Sequence, residues 1–306
     1  MRKGNGQSRL LILSLLFCFG ALSVQARGPA KAGATVSVVP PEYGEVIYQF
    51  SPESASQLFI IGMSHRDALT CLNGDSTTKA QVDAFKIGEW LICSRGLELL
   101  FPEGYFYRNS MDQKSSGRPV NELKRPPAGS TDAKTLERIF ADTKTRVNAE
   151  MLLHKHYGVM LRQVEDSALY NAVAKGISKL ALSGRDSCEP ILLIPELDYL
   201  QGRRTAEMLQ RMPGIVNEEY QRGNISERKA LFTIGMSHLH NIIRFLGEQR
   251  IRIEPPLFGS EKREEYKAEL NLLKEKFGVT VILPRTLAND RGLLKMTHLN
   301  HLVPPF

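Results

Sequence analysis

Short apolar runs alternate with longer amphipathic segments from Leu58 onward. The runs predict five strands, LFII (58–61), LELLF (97–101), PILLI (190–194), LFTI (231–234) and VTVIL (279–283). The segments between them have helical periodicity, at 77–95, in two or three pieces over 133–182, at 199–222, at 239–249 and at 260–278. This alternation is typical of βαβ units. It predicts an α/β fold with a mainly parallel central sheet flanked by helices.

The segments outside this pattern are less regular. Residues 27–57 begin with Gly, Ala and Pro and then contain TVSVV and EVIYQF, which predict an N-terminal extension with a small hairpin or an edge strand. Residues 107–132 are polar and rich in Gly, Pro and Ser, and they predict a long loop. The tail after Pro284 has no clear periodicity. We expect a single α/β domain over 58–306.

The first 26 residues have the composition of a secretory signal peptide. The basic MRKGNGQSR precedes the apolar LLILSLLFCFGAL, and Val24 and Ala26 offer small residues for cleavage. Phe17 stands before Cys18, where a lipoprotein signal would have a small residue. We therefore expect a periplasmic or secreted protein with no stable membrane anchor after cleavage.

Charge and cysteine content limit the kinds of binding partner and metal site that the sequence favours. The chain has a formal charge of +7, and removal of three basic residues with residues 1–26 leaves +4, which is too mild to indicate nucleic acid. Cys71, Cys93 and Cys188 would remain, and one disulfide plus one free thiol is the simplest arrangement in an oxidising compartment. Cys71 and Cys93 are the closest pair in sequence and the expected disulfide. The absence of CxxC spacing disfavours a thiolate metal site.

One eight-residue pattern occurs twice, as LFIIGMSH at 58–65 and LFTIGMSH at 231–238. Both copies follow a predicted strand and precede a helical segment, so both should lie at the carboxyl edge of the sheet, where ligands collect. The glycines would permit a tight turn, and Ser64 and Ser237 would cap the following helices.

The two histidines of the repeat are the leading candidates for chemistry. If the chain consists of two pseudo-symmetric halves, His65 and His238 face each other across one crevice and form either a metal site or an acid/base pair. Two acids follow apolar runs, Glu103 in LLFPEGYF and Glu196 in LLIPELDY. Glu103 is preferred as a third ligand because sequential strands are usually neighbours. Glu196 also fits a helix N-terminus.

The sequence resembles the superfamily of TraB and Tiki proteins, erythromycin esterases and haem-binding ChaN lipoproteins. The resemblance is carried by two GxxH motifs, by an acid after the strand that follows the first motif, and by an arginine-bearing helix before the second. The match covers roughly residues 55–283. The resemblance implies a metal-dependent peptidase site in Tiki-like members, which carries over to His65, Glu103 and His238. The Glu-Arg pair of the family pattern aligns Arg204 with its Arg, whereas Arg203 stands where the family has Glu. Asp67 replaces a missing oxygen ligand or caps a turn.

The chemistry implied by this resemblance is that of an open site for Mn, Co or Zn, acting on a peptide or small-molecule substrate. Arg204 would hold a substrate carboxylate or stabilise an oxyanion, or else form a salt bridge on its helix. Three other interpretations stay open. They are a haem- or metal-binding protein without catalysis, a scaffold whose repeats only shape turns, and a serine hydrolase, which the absence of a GxSxG elbow disfavours.

The other histidines give weaker signals. His154 and His156, like His238 and His240, are two positions apart and would point to different faces of a helix. His298 and His301 have the i, i+3 spacing of a chelating pair on a helical turn, although solvated tail histidines would show the same spacing.

Overall fold

The computed structural model describes residues 38–64, 74–104, 132–142, 147–183, 189–257 and 263–303. The predicted signal peptide and nearly all of the predicted loop 107–132 lie outside these ranges. So do four residues singled out above, namely His65, Asp67, Cys71 and Cys188.

Eight strands are present in the described part of the chain. They are β1 (Gly44–Phe50), β2 (Ser56–Met63), β3 (Leu99–Pro102), β4 (Met160–Leu161), β5 (Lys229–Gly235), β6 (Arg250–Ile253), β7 (Tyr266–Glu269) and β8 (Phe277–Pro284).

The helices of the described residues alternate with these strands. They are α1 (Asp75–Arg95), α2 (Ala133–Ala141), α3 (Ala149–Tyr157), α4 (Ser167–Leu182), α5 (Glu189–Gln221), α6 (Leu239–Glu248), α7 (Asn271–Lys274), α8 (Arg285–Ala288) and α9 (Arg291–Met296). A 3₁₀ turn at Met236–His238 connects β5 to α6. None of the described helices is both long and apolar enough to cross a membrane.

Six strands form one sheet in the order β1-β8-β2-β5-β3-β4. All neighbours are parallel except β1, which pairs antiparallel with β8 at the edge. The predicted α/β class and mainly parallel sheet are therefore confirmed, and so is the edge strand within EVIYQF. A separate ribbon pairs β6 with β7.

The chain crosses the centre of the sheet twice in the same manner. The connection from β2 to β3 passes over β5, and the connection from β5 to β8 passes over β2. In the central pair, each residue of β2 is thus paired with a residue of β5 that lies 172 positions later in the chain, as Leu58 and Ala230 show.

Hydrophobic side chains cover both faces of this sheet. Leu58 and Ile60 share one core with Phe232, α5 and α6, whereas Phe59 and Ile61 share the other with α1 and α3. Strands that are buried on both faces have continuous apolar sequences. For this reason four of the five predicted strands, β2, β3, β5 and β8, are present in the structure.

The run PILLI at 190–194 is not a strand, and that prediction was wrong. It lies in the first turns of α5, where Ile191 is 69% exposed and Leu192 is 45% exposed. Five apolar residues without alternation fit a helical segment as well as a buried strand.

The predicted helix at 260–278 was also wrong. Within it, β7 pairs with β6 in the register Ile251 to Ala268 and Ile253 to Tyr266, and only the short α7 is helical. The pairing covers the two buried isoleucines, so tertiary contacts override the helix-forming composition. Gly278 does not stop a helix. It lies in β8, where a Cβ would come within 2.2 Å of the Ser51 carbonyl oxygen.

Candidate functional site

The two copies of the repeat lie side by side at the carboxyl edge of the sheet. Met63 pairs with Gly235 and Leu58 with Ala230, so equivalent residues of the copies are displaced by one position. In a parallel pair, directly opposite residues point to the same face. Equivalent residues therefore point to opposite faces, and Leu58 lies in one core while Leu231 lies in the other.

The glycines and serines of the repeat do not have the predicted roles. Gly62 is still within β2, and a Cβ there would lie 2.5 Å from the Leu239 side chain, so this glycine permits close packing of α6. Gly235 has φ −56°, which any residue adopts. Ser237 lies inside the 3₁₀ turn, and α6 begins without a side-chain cap. Ser64 Oγ is buried and has no hydrogen-bond partner among the described residues.

His238 is fully buried, at 0% exposure, and both ring nitrogens are engaged by α5. Its Nδ1 lies 2.6 Å from Thr205 Oγ1, and that hydroxyl donates to the Gln201 carbonyl oxygen at 2.8 Å. The hydroxyl therefore accepts from Nδ1–H, which leaves Nε2 as an acceptor in neutral His238. Gln201 Nε2 lies 2.8 Å and Arg204 NH1 lies 3.2 Å from this acceptor.

Glu103 lies directly after β3 and reaches the second motif. Its backbone N–H donates to the Thr233 carbonyl oxygen at 3.0 Å, which continues the pairing with β5. Its Oε2 accepts from the Gly235 N–H at 2.5 Å, and its Oε1 lies 3.4 Å from His238 Nε2. The prediction that β3 is next to β2 was wrong, since β5 lies between them. Glu103 meets His238 because β5 carries the second motif.

Arg204 occupies the centre of the cluster and has almost no exposed surface. It donates from NH2 to Glu103 Oε1 at 2.8 Å and from Nε to Glu165 Oε2 at 3.0 Å, and NH2 also contacts Glu165 Oε1. Its guanidinium carbon lies 5.0 Å from the centre of the Tyr170 ring. Burial alone would lower the pKa of Arg204, but the hydrogen bond to Glu165 and the charges of both glutamates raise it. The guanidinium therefore remains charged.

Glu165 is the member of the site that the sequence did not reveal. Its side chain is 0% exposed, and its Oε1 accepts from the Gly104 N–H at 2.9 Å. It precedes α4, where Asp166 caps the helix by accepting from Ala168 and Leu169. No local pattern marks Glu165, because its partners are 39 and 61 residues away.

The other sequence candidates lie elsewhere. Glu196 is on α5 and forms an ion pair with Arg263 at 2.9 Å, so its predicted place at a strand end was wrong. Arg203 points away from the cluster, since its guanidinium carbon lies 3.9 Å from the centre of the Tyr266 ring. His154 Nδ1 is 2.8 Å from the carbonyl oxygen of Val159. These three side chains have structural partners outside the site.

Cys93 is an exposed free thiol on α1. Its expected disulfide partner, Cys71, lies outside the described residues, so that pairing stays a prediction.

The site as a whole joins one imidazole, one guanidinium and two carboxylates, with a net charge of −1 when His238 is neutral. Within the described residues, no three His, Cys, Asp or Glu side chains are grouped so that they could hold a metal ion. His65 would follow Ser64 from the neighbouring strand end, and it lies outside these residues.

Comparisons with models of protein families, with curated proteins and with solved structures find no match for this chain.

Proposed function

We propose that this protein is an exported metal-dependent hydrolase of peptide or small-molecule substrates, with His65, Glu103 and His238 as metal ligands. The observation that carries the proposal is the approach of His238 Nε2 to Glu103 Oε1, at 3.4 Å, at the carboxyl edge of a parallel sheet. That edge is where α/β proteins bind their ligands.

The donor atoms fit a divalent ion in type and spacing. Two ligand atoms about 2.1 Å from a tetrahedral ion are roughly 3.4 Å apart, and mixed nitrogen and oxygen ligation suits Mn, Co and Zn. The net charge of −1 also favours a cation in this low-dielectric setting. When bound, the metal would supply Lewis-acid polarisation of a carbonyl.

Binding requires a local rearrangement of groups that now satisfy His238. Arg204 NH1 and the Gln201 amide both lie against Nε2 and would have to turn away. For Arg204 this movement would be a tilt of the planar guanidinium about its two bonds to Glu165 through Nε and NH2. Gln201 Oε1 is buried without a partner among the described residues, so rotation of this amide exchanges one unsatisfied atom for another.

The proposal gives Arg204 a positioning role. Its donors are occupied by Glu103, Glu165 and His238, and its side chain is 5% exposed. On one side it donates to Glu103 Oε1, which orients that carboxylate beside His238. Glu165 in turn fixes the guanidinium from the other side.

We further propose that the chain consists of two pseudo-symmetric halves. Two observations support this. The repeats lie on adjacent parallel strands with equivalent residues on opposite faces, as a twofold axis along the strands would produce. Each half then continues over the other central strand, β2 to β3 and β5 to β8. Such an axis would bring the ends of both motifs to one crevice.

The test is hydrolysis and metal content of the purified mature protein, screened with Mn, Co and Zn against peptide and ester substrates. We expect near-stoichiometric metal in the wild type and more than about 100-fold lower activity in Glu103→Gln and His65→Gln, at the upper end of losses around metal ligands. The matched control is Glu196→Gln, which changes the other Pro-Glu acid and should keep full activity. N-terminal sequencing should begin near Arg27 if the protein is exported.

Two results would contradict the proposal. One is wild-type protein that binds none of the three ions. The other is folded Glu103→Gln and His65→Gln proteins that retain metal and activity, which would favour a scaffold role for the repeats.

A further inference from the structure

Two histidines that the proposed hydrolase site does not use have adjacent rings beyond the end of β5, and a third follows them in the chain. His240 is in the first turn of α6, and its ring centre lies 5.7 Å from that of His298, which follows α9. His301 is three residues further on. All three residues are exposed. From the sequence, His240 and the His298–His301 pair had no reason to be associated.

The surroundings of His240 include other basic side chains. Partial burial of the His240 ring, followed by the positive charges of His298, Arg244 and His301, lowers the pKa of His240.

We propose that His240, His298 and His301 form a second, surface site for a divalent transition-metal ion of the zinc class. This site is separate from His65, Glu103 and His238 and does not depend on the hydrolase proposal. It would tie the start of α6 to the segment that follows α9.

The separation of the rings fits a shared ion. An imidazole nitrogen binds zinc at about 2.0–2.1 Å, which puts the centres of two rings on a tetrahedral ion about 5–6 Å apart. The observed 5.7 Å lies in that range. His301 has to rotate to supply the third nitrogen, because the described residues contain no group of three metal-binding side chains as they stand. Its exposure leaves that rotation open.

The backbone at His298 supports a role beyond ending a helix. His298 has φ +58°, in the left-handed region that glycine usually occupies after a helix. The Leu299 N–H donates to the Leu294 carbonyl oxygen at 2.8 Å, so the helix end is complete without any side chain at 298. A histidine costs about 1 kcal/mol in this conformation relative to glycine, and it directs an imidazole beside His240.

The ligand chemistry selects the ion. Three imidazoles without carboxylate or thiolate favour zinc, nickel, copper and cobalt over calcium and magnesium. Arg244 opposes any cation, but its guanidinium is held by the Arg252 carbonyl oxygen at 3.0 Å and by Asn241 Oδ1 at 3.2 Å. We therefore expect moderate affinity.

The experiment is calorimetric titration of Zn²⁺ into the mature chain, produced without a polyhistidine tag and stripped of metal. We expect two ions per chain in the wild type if both proposals hold. The variants His240→Ala and His298→Ala should each weaken one of the ions by at least about tenfold. Asn300→Ala, an exposed polar residue between two of the histidines, is the matched control and should bind like the wild type.

The hydrolase site and the surface site can be distinguished because each should lose its own ion in a different set of variants. Glu103→Gln should leave the surface ion unchanged, and His298→Ala should leave hydrolysis unchanged. Saturating Zn²⁺ should also raise the melting temperature of the Glu103→Gln protein by about 5 °C, and a further His298→Ala change should abolish this rise. Zinc binding and melting temperature that are the same in the His240→Ala, His298→Ala double variant as in the wild type would overturn the inference.

Discussion

At the scale of single residues, Arg204 has the largest energetic role in the cluster. It is bound to two carboxylates, one of them with no exposed surface, and to the imidazole of His238. Removing one partner of a buried ion pair costs far more than the pair contributes, because the remaining charge stays buried and unpaired. Both Glu103 and Glu165 would be left in that state.

We expect Arg204→Ala to lower the free energy of unfolding by about 3–5 kcal/mol. Arg204→Lys should lose less, since the ammonium keeps the charge but cannot bind both carboxylates with the geometry of a guanidinium. Urea denaturation at pH 7, followed by circular dichroism, measures both changes.

The neighbouring arginine provides the control. Arg203 is 27% exposed, pairs with Glu207 at 3.6 Å and stacks on Tyr266. Arg203→Ala should therefore cost no more than about 1–2 kcal/mol. Equal losses for the two alanine variants would show that the Arg204 cluster does not contribute to stability as described.

At the scale of elements, the contact between β2 and α6 depends on the first glycine of the repeat. Leu239, at the start of α6, lies against Gly62, and Leu283 of β8 closes the same space. The glycine of the first copy therefore permits close packing of α6 against β2.

We expect Gly62→Ala to destabilise the protein by about 1–3 kcal/mol, because the added Cβ would lie 2.5 Å from Leu239 and 2.9 Å from Leu283. The double variant with Leu239→Ala should lose less than the sum of the single changes, by about 0.5–3 kcal/mol. Thermal or urea unfolding of the four proteins in this cycle measures the coupling.

A glycine in open space is the control for this prediction. A Cβ at Gly214, on α5, would have no neighbour within 4 Å. Gly214→Ala should therefore stabilise the protein by about 0.4–1 kcal/mol through helix propensity and the unfolded state. Additive losses at Gly62 and Leu239 would contradict direct packing between them.

Elements were predictable from the sequence where burial on both faces or regular periodicity marked them. The runs at 58–61, 231–234 and 279–283 lie in β2, β5 and β8, and the repeat marked the correct edge of the sheet. PILLI failed because its apolar side chains fit a helix equally well. The ribbon of β6 and β7 failed because each strand has only four residues and the composition around β7 favours a helix.

The site was predictable only in part, for a related reason. His238 and Glu103 follow strands, so topology alone brings them to one edge. Glu165 and Gln201 enter through contacts between segments that lie far apart in the chain, namely Arg204 with Glu165 and Gln201 with His238. No spacing rule along the chain encodes contacts of that kind.

At the scale of the whole molecule, the sheet is completed late in the chain. β2 pairs with β5 and with β8, and β1 pairs with β8 across more than 200 residues, as in the pair Gly44 and Pro284. Such non-local pairing makes the central strands one cooperative unit, since none of them is fully paired without the others. By contrast, the ribbon of β6 and β7 pairs locally, and alternate side chains of both its strands are exposed.

We expect backbone amide hydrogen exchange to separate these two regions. Amides of β2, β5 and β8 should exchange only through global unfolding, whereas those of β6 and β7 should exchange through local opening with a lower free energy and a weaker dependence on urea. Exchange detected by mass spectrometry over a urea series measures both. In Arg204→Ala protein, protection should fall in the central strands and stay unchanged in the ribbon, because the lost contacts lie at the carboxyl edge of the main sheet. Equal free energies and equal urea dependence in both regions would contradict this division.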